Sequence, residues 1–445
     1  MKVRPLVQSL LELVRSGNLK AFVARAEEAE PADLGDVMAS LDDQERIEVA
    51  RALPPRLSGQ ALVAMPDSEE AEETLVALGP EQAAEVVDEM SDDDAADILG
   101  GLDSEDKEKI LSEVEDREDV DRLLQYGEET AGGLMTAQVV AVPVTGTAAQ
   151  AIEEIRRQSE EVGDFTDVFV TDERGHLVGV LPLKSLVTSP AGRQVSEFME
   201  EAGIRVGPDV DQEEVARQMT RYNVTNLPVV DDSGRLLGRV TLDDVMHVLE
   251  EENTEDLLKF GGVSADEELT ASWSDAVKSR LPWLYVNLAT AFLAGAVVYV
   301  YQATISKNVA LAVWMPIIAG MGGNAGTQAL AVTVRRLAIG NIPAGRSGEV
   351  VGKEVVVGLL NGIANGVVVA LVAILLGEGP ILGLVVFLAM VGNLFVAGFA
   401  GALIPIVLER MGVDPAVASS IFVTTFTDVC GFLLLLGLAG WLLIH

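Results

Sequence analysis

The stretch AVASSIFVTTFTDVCGFLLLLGLAGWLLI, residues 416–444, places this chain in a membrane. It exceeds the roughly 20 apolar residues that cross a bilayer's hydrocarbon core. It holds one acid, Asp428, in its middle. A charge at the bilayer centre costs roughly 2.5–3.5 kcal/mol on insertion scales, so such a residue faces a partner or a water-filled path. Asp428 is therefore either a structural acid, hydrogen-bonded or protonated within a bundle, or part of an ion pathway. The pathway is the better account of an acid kept at that cost.

Working outward, the charge divides sharply. Of 69 acids and 31 bases, only six of each follow residue 280, so the first 280 residues carry the whole net charge of −38. A very acidic half precedes a neutral apolar half. Such a surface argues against nucleic acid and anionic lipid headgroups as partners, since both are polyanions, and suits divalent cations. Solubility in a salty cytoplasm explains part of the charge but not its clustering. The single cysteine, Cys430, excludes an intrachain disulfide. The opening MKVRPLVQSLLELVRSGNLK has charges within its apolar run and lacks a signal-peptide core, so it is predicted as an amphipathic helix of a cytosolic domain.

Five apolar segments are predicted to span, near 283–303, 309–334, 351–376, 380–408 and 416–444. Lys278, Arg280, Arg335, Arg336, Arg346 and Lys353 flank them on one side. Positive-inside logic puts residues 1–280 in the cytoplasm and the C-terminus outside, in a cell (inner) membrane. The second segment is interrupted by GMGGNAGTQ, Gly320 to Gln328. Small and polar residues there serve close helix packing, or an unwound turn whose carbonyls line a pore.

Residues 1–131 read as short helices with acidic connectors, punctuated by Pro31, Pro54, Pro55, Pro66 and Pro80. This resembles a helical solenoid, a class used more for binding and regulation than for catalysis. An internal repeat follows: VFVTDERGHLVGVLPLKSL from Val168 and LPVVDDSGRLLGRVTLDDV from Leu227. Asp172, Gly175, Gly179 and Leu183 recur as Asp231, Gly234, Gly238 and Leu242, at a constant offset of 59. Each copy reads strand, tight turn, strand, helix, and the pair resembles tandem CBS domains. That resemblance implies an adenine-nucleotide site at G-h-x-[ST]-x-x-D, which Gly238 to Asp244 fits, with Thr241 toward phosphate and Asp244 toward ribose. The first copy departs from it with Pro182 and Ser185. ATP at the second copy and a ligand-free structural pair are both compatible with the sequence.

One carboxylate cannot hold a dication tightly, but two copies about a two-fold axis present two. Mg²⁺ keeps much of its water shell and is typically bound by one or two carboxylates. Cyclic dimers are the commonest assemblies. Carbonyls near Thr424 and the polar face at Asn324 could complete such a pore site. The order of parts, the run from Pro316 to Gln328 (P-x-x-x-G-x-G-G-N-x-G-x-Q) and Asp428 followed by Gly431 then resemble the MgtE family along essentially the full length. The resemblance implies a homodimeric Mg²⁺ channel in membrane lipid, with Asp428 in the pore and closed by intracellular Mg²⁺.

It also implies sensor ligands at Asp93, Asp97, Asp211, Glu213, Asp244, Glu252, Glu255, Asp256 and Asp414, each otherwise a solvated surface acid. Gln60, Asn223 and His247 stand where carboxylates are expected, and Ser420 where an Asn is expected in the pore. The expected architecture is a multidomain α-helical membrane protein. It comprises an all-α cytosolic superhelix (1–131), α/β CBS domains (132–196 and 197–252), an acidic connecting helix with linker (243–279) and a five-helix pore domain (280–445). A carrier of Co²⁺, Mn²⁺ or Zn²⁺, or a non-conducting metal or nucleotide sensor, are the alternatives. No nucleophile–base pair, phosphate loop or HExxH points to an enzyme.

Overall fold

A computed structural model describes residues 5–115, 117–159, 162, 165–261, 263, 273–338, 346–415 and 419–443. The chain divides into two units, Met1–Leu249 and Glu250–His445.

The first unit begins with ten short helices among the described residues: α1 (Pro5–Arg15), α2 (Leu19–Ala26), α3 (Pro31–Ala39), α4 (Asp43–Ala52), α5 (Pro55–Val63), α6 (Ser68–Leu78), α7 (Pro80–Val87), α8 (Asp92–Gly100), α9 (Ser104–Leu111) and α10 (Glu118–Leu123). Proline opens α3, α5 and α7, where its missing N–H costs nothing. Asp42 and Asp67 cap α4 and α6, accepting from the backbone N–H of Glu45 at 2.9 Å and Glu70 at 3.1 Å. Each helix buries one stripe, with Phe22, Leu34, Leu62, Leu75 and Leu99 fully enclosed.

The repeat folds as read. Strand β1 (Ala141–Pro143) and helix α11 (Ala148–Gln158) lead into β2 (Asp167–Thr171), β3 (Leu177–Pro182), α12 (Leu183–Thr188) and β4 (Glu200–Glu201). Helix α13 (Gln212–Tyr222), β5 (Asn226–Val230) and β6 (Leu236–Thr241) form the second copy. In the first sheet β1 runs parallel to β2, with β3 and β4 following antiparallel; β5 and β6 pair antiparallel. The copies meet through equivalent residues. Leu177 N–H donates to Gly234 O and Leu236 N–H to Gly175 O, both at 3.0 Å. The hydroxyls of Thr166 and Thr225 lie 3.2 Å apart.

The apolar core of the N-terminal helices runs without a break into the second repeat copy, through Met135, Val215, Leu227, Val240, Val245 and Val248. The first copy keeps its own core around Val168, Val170 and Leu181.

Helix α14 (Leu242–Phe260) contributes to both units. The second unit continues with α15 (Trp273–Val300), α16 (Gln302–Lys307), α17 (Leu311–Ala338), α18 (Ser347–Leu375), α19 (Pro380–Arg410) and α20 (Ser419–Leu443). Four of these contain stretches long and apolar enough to cross a membrane: Ala276–Val300, Ser347–Leu375, Pro380–Arg410 and Ser420–Leu443. The remaining predicted span, the second (309–334), corresponds to α17, a 28-residue helix diluted by its glycines, Asn324, Thr327 and Gln328. The unwound turn that the sequence allowed is not seen: α17 is helical throughout Gly320–Gln328. Gly322 and Gly326 serve close packing instead.

Helix α19 is the centre of this unit, 56% buried over its apolar window against 6% for α15. Gly358, Gly362 and Gly366 form a small-residue stripe on α18, four residues apart. A Cβ on Gly358 would lie 2.4 Å from Leu394 O, and one on Gly362 would lie 2.9 Å from Val391 Cα. The α18–α19 hairpin is thus in backbone contact, the packing that small residues permit in lipid.

Candidate metal sites

Three places gather the residues that the sequence singled out. The first is where α20 meets α17. A Cβ on Gly322 would meet Thr427 Cβ at 3.1 Å, on Gly323 Thr424 Cγ2 at 4.0 Å, and on Gly326 Val423 Cγ1 at 2.4 Å. Thr424 therefore lies against the residue preceding Asn324, and Asp428 stands about one turn further along α20. Thr424 and Asp428 are half-buried and Asn324 is exposed. The hydroxyls of Thr427 and Thr425 are satisfied within α20, donating to Thr424 O at 2.9 Å and Ile421 O at 2.7 Å. Ser420 is half-buried at the start of α20.

The second is a cleft of about 680 Å³ in the first unit, lined by Asp93, Asp94, Asp243, Asp244, Arg239, Thr241 and Phe165 among others. Sequence reasoning selected Asp93, Asp244 and Thr241; it missed Asp92, Asp94, Asp243 and Arg239. The signal was the run SDDDAAD from Ser91, three successive acids in the first turn of α8. There they also favour the positive end of the helix dipole. Asp92 is 6% exposed and accepts from Thr136 Oγ1 at 2.6 Å and Ala137 N–H at 2.7 Å. It thereby pins α8 to the segment entering the repeat. Ser91 Oγ donates to Asp94 at 2.6 Å, and Thr241 Oγ1 donates to Asp244.

The electrostatics of this cleft are unfavourable without a cation. Burial, then the nearby carboxylates of Asp244, Asp94 and Asp92, pushes Asp93 up to about 7. Burial also raises Asp94 and Asp244. The one lining base, Arg239, is itself buried, which lowers its pKa against the pull of Asp93, Asp243 and Asp244. Its Nη1 donates to Asn226 Oδ1 at 3.1 Å. Asp93 Oδ1 is buried without a hydrogen-bond partner. An orphaned carboxylate oxygen among three further aspartates suits a hard divalent cation.

The third lies in the second unit. Lys259 Nζ is 2.8 Å from Asp414 Oδ2 and also pairs with Glu255. Phe260, the next residue, packs together with Ile404 against the buried cluster of Leu330, Val334 and Val423. Two predicted sensor acids are thus joined by an ammonium. Burial opposes its charge, but the hydrogen bonds to Asp414 and Glu255 more than offset that and hold the lysine above its ordinary range.

The remaining predicted ligands are dispersed. Asp211 caps α13, accepting from Glu213 N–H at 2.9 Å. Asp97 lies on α8 one turn after Asp93, and Glu252 lies half-buried on α14. The Asp256 side chain falls outside the described residues. Asn223 has a structural reason to be asparagine: it ends α13 at φ 54°, the only described non-glycine residue at positive φ. Gln60 sits half-buried on α5, and His247 is exposed on α14. Among the described residues, no three carboxylates, imidazoles or thiols of one chain converge on a metal position.

The arrangement has counterparts among known proteins. A family model described as a divalent cation transporter matches residues 315–438. The MgtE intracellular N domain matches 29–129, and the CBS domain matches 131–192 and 195–251. The chain is 36% identical over 446 aligned positions to the magnesium transporter MgtE of Thermus thermophilus, covering 98% of each chain. It is 31% identical to that of Bacillus subtilis, over 98% of this chain and 96% of the other. The crystal structure of the cytosolic domain of the Mg²⁺ channel MgtE in complex with ATP is similar at 35% identity and a TM-score of 0.51, over 54% of this chain and 99% of that one.

Proposed function

Because the chain belongs to the MgtE family of magnesium transporters, we propose that it is a homodimeric, Mg²⁺-selective channel for magnesium uptake across the cell membrane, closed by cytosolic Mg²⁺. Its topology in this reading has five spans, α17 included, with residues 1–280 cytoplasmic and the C-terminus outside. It is a transport protein rather than an enzyme.

The observation that carries the reading is Asp428. It is the one acid on α20, half-buried, with Thr424, whose methyl lies 4.0 Å from the Cβ position of Gly323 on α17, about one turn before it. Paired with its symmetry mate, it would draw a hydrated dication by outer-sphere contacts, holding the ion weakly enough to release it. No His or thiol besides Cys430 lies on α17 or α20, which disfavours softer cargo.

Regulation is read from the cleft and from α14. Asp93, Asp94, Asp243 and Asp244 repel one another across the contact between α8 and the second repeat copy. A bound divalent cation would supply the missing positive charge. Asp93 and Asp94 then stay docked against Asp243 and Asp244 on α14, whose other end carries Glu255 and Lys259. A ligand can shift this equilibrium only by its differential affinity for the docked state, so several weak sites are needed. Thr241 and Arg239 offer polar contacts for a nucleotide, but four aspartates in the lining disfavour a free polyphosphate. The metal-complexed nucleotide is the form that fits.

The test is Mg²⁺ flux into liposomes holding wild type or Asp428→Ala, with Mg²⁺ varied on the cytosolic side. Wild-type flux that falls as cytosolic Mg²⁺ rises, and that Asp428→Ala abolishes, is expected. A folded wild type that passes no Mg²⁺ at low cytosolic Mg²⁺ would overturn the reading in favour of a sensor. Equal passage of Co²⁺ or Mn²⁺ would overturn the selectivity.

A further inference from the structure

Two glycines of the membrane motifs, Gly322 and Gly431, have one explanation that neither motif contains. Asn393, on α19, is fully buried. Its side chain occupies the space that both glycines vacate. A Cβ on Gly322 would lie 2.2 Å from its Nδ2, and one on Gly431 would lie 2.8 Å from Nδ2 and 3.2 Å from Oδ1. The Nδ2 group donates to Ile318 O of α17 at 2.8 Å, while Oδ1 is buried without a hydrogen-bond partner. A half-satisfied amide in an apolar core is costly, and a leucine would fill similar volume without that cost. Packing alone does not account for it.

Helix rotation does. Ile318, Gly322 and Gly326 recur every four residues and form the face of α17 turned to α19 and α20. Asn324, two residues beyond Gly322, is rotated by about 200° from it. On α20, Thr427 and Gly431 form the buried face, while Thr424 and Asp428 are a separate pair four residues apart. An amide hydrogen-bonded to α17 and wedged against Gly431 fixes the rotation of both helices at once.

We propose that Asn393 is a positioning residue for the ion path. It holds α17 and α20 at the rotation that presents Asn324, Thr424 and Asp428 to the ion, and it is why Gly322 and Gly431 have no side chain. The inference rests on the pore reading of Asp428. Its reach is over permeation, not over the assembly of the fold.

The test compares wild type, Asn393→Leu, Gly322→Ala and Asp428→Ala in full-length protein in liposomes. Flux is measured against external Mg²⁺ and, in parallel, against Ca²⁺, with melting temperature and elution volume as controls. Asn393→Leu is expected to fold with wild-type or higher melting temperature. Its half-saturating Mg²⁺ should rise about fivefold, the equilibrium weight of one hydrogen bond, with discrimination against Ca²⁺ reduced. A folded Asn393→Leu with wild-type half-saturation and discrimination would overturn the proposal. Should Asn393→Leu not fold, Asn393→Ala, which removes both the donor and the acceptor, is read the same way. Gly322→Ala, which crowds the amide without removing it, should shift both quantities in the same direction, and a folded Gly322→Ala with both unchanged counts against the proposal. If Asp428→Ala conducts normally, the pore reading itself fails. If only Asp428→Ala is silent, the pore reading stands and Asn393 is structural.

Discussion

Lys259 Nζ and Asp414 Oδ2 lie 2.8 Å apart, joining residues 155 positions distant in the chain. The same ammonium pairs with Glu255. Within the second unit, a built-in monovalent cation thus sits between two acids that the sequence marked as divalent-cation ligands. With side chains 22% and 35% exposed, the Lys259–Asp414 pair is partly screened and its worth is that of a modest ion pair, about 0.2–1 kcal/mol.

Replacing Lys259 by Met should therefore leave Glu255 and Asp414 repelling each other and loosen the end of α14. Liposome flux at low cytosolic Mg²⁺ is expected to rise about twofold to fivefold, with closure at high Mg²⁺ retained. Flux that is unchanged at low Mg²⁺ would show that the lysine does not contribute to closing.

Asp92 holds a structural rather than a metal-binding place. Asp92→Ala strands the Thr136 hydroxyl and the Ala137 N–H. The cost should be about 2–4 kcal/mol. Hydrogen exchange in the full chain should show α8 losing protection while α15 to α20 keep theirs. Equal loss in both regions would indicate general unfolding instead.

The Asp93 carboxyl makes the docked cleft pH-dependent. Its folded value, about 7, lies above its ordinary 3.8. Between the two the folded state binds more protons, so stability falls as pH rises through that window when divalent cations are absent. Protection of α8 in chelator should fall across it, and Asp93→Asn should flatten the profile. A profile equally steep in Asp93→Asn would assign the effect to another group.

The α18–α19 hairpin depends on bare backbone. Gly362→Leu drives a side chain into Val391, whose Cα lies 2.9 Å from the Cβ position. A loss of at least about 1–3 kcal/mol follows from overpacking, read as a lower melting temperature in detergent. A melting temperature equal to wild type would mean that the hairpin opens without cost.

Much of this protein was legible before any coordinates. The split into acidic and apolar halves is a matter of composition. The offset of 59 between repeat copies is local and periodic, and the acidic run from Asp243 to Asp256 lies within one helix, α14. Asp428 stood out because a lone acid in an apolar helix is visible without knowing its neighbours. The motif glycines were visible too, but their use was not: packing and unwinding predict the same residues, and only the observed path of α17 separates them.

Long-range packing settled the rest. Nothing local announces that the N-terminal core continues into the second repeat copy, that Asp92 rather than Asp93 is consumed by hydrogen bonds, or that Lys259 finds Asp414. Asn393 is the clearest case. In the run LAMVGNLFVAG it is one polar residue in an apolar helix, with no periodic signal. Its meaning comes from two glycines, on helices before and after it, whose missing side chains leave room for one amide. Patterns along the chain report which faces are apolar; which faces meet depends on shape, and shape is complete only when all the helices are packed.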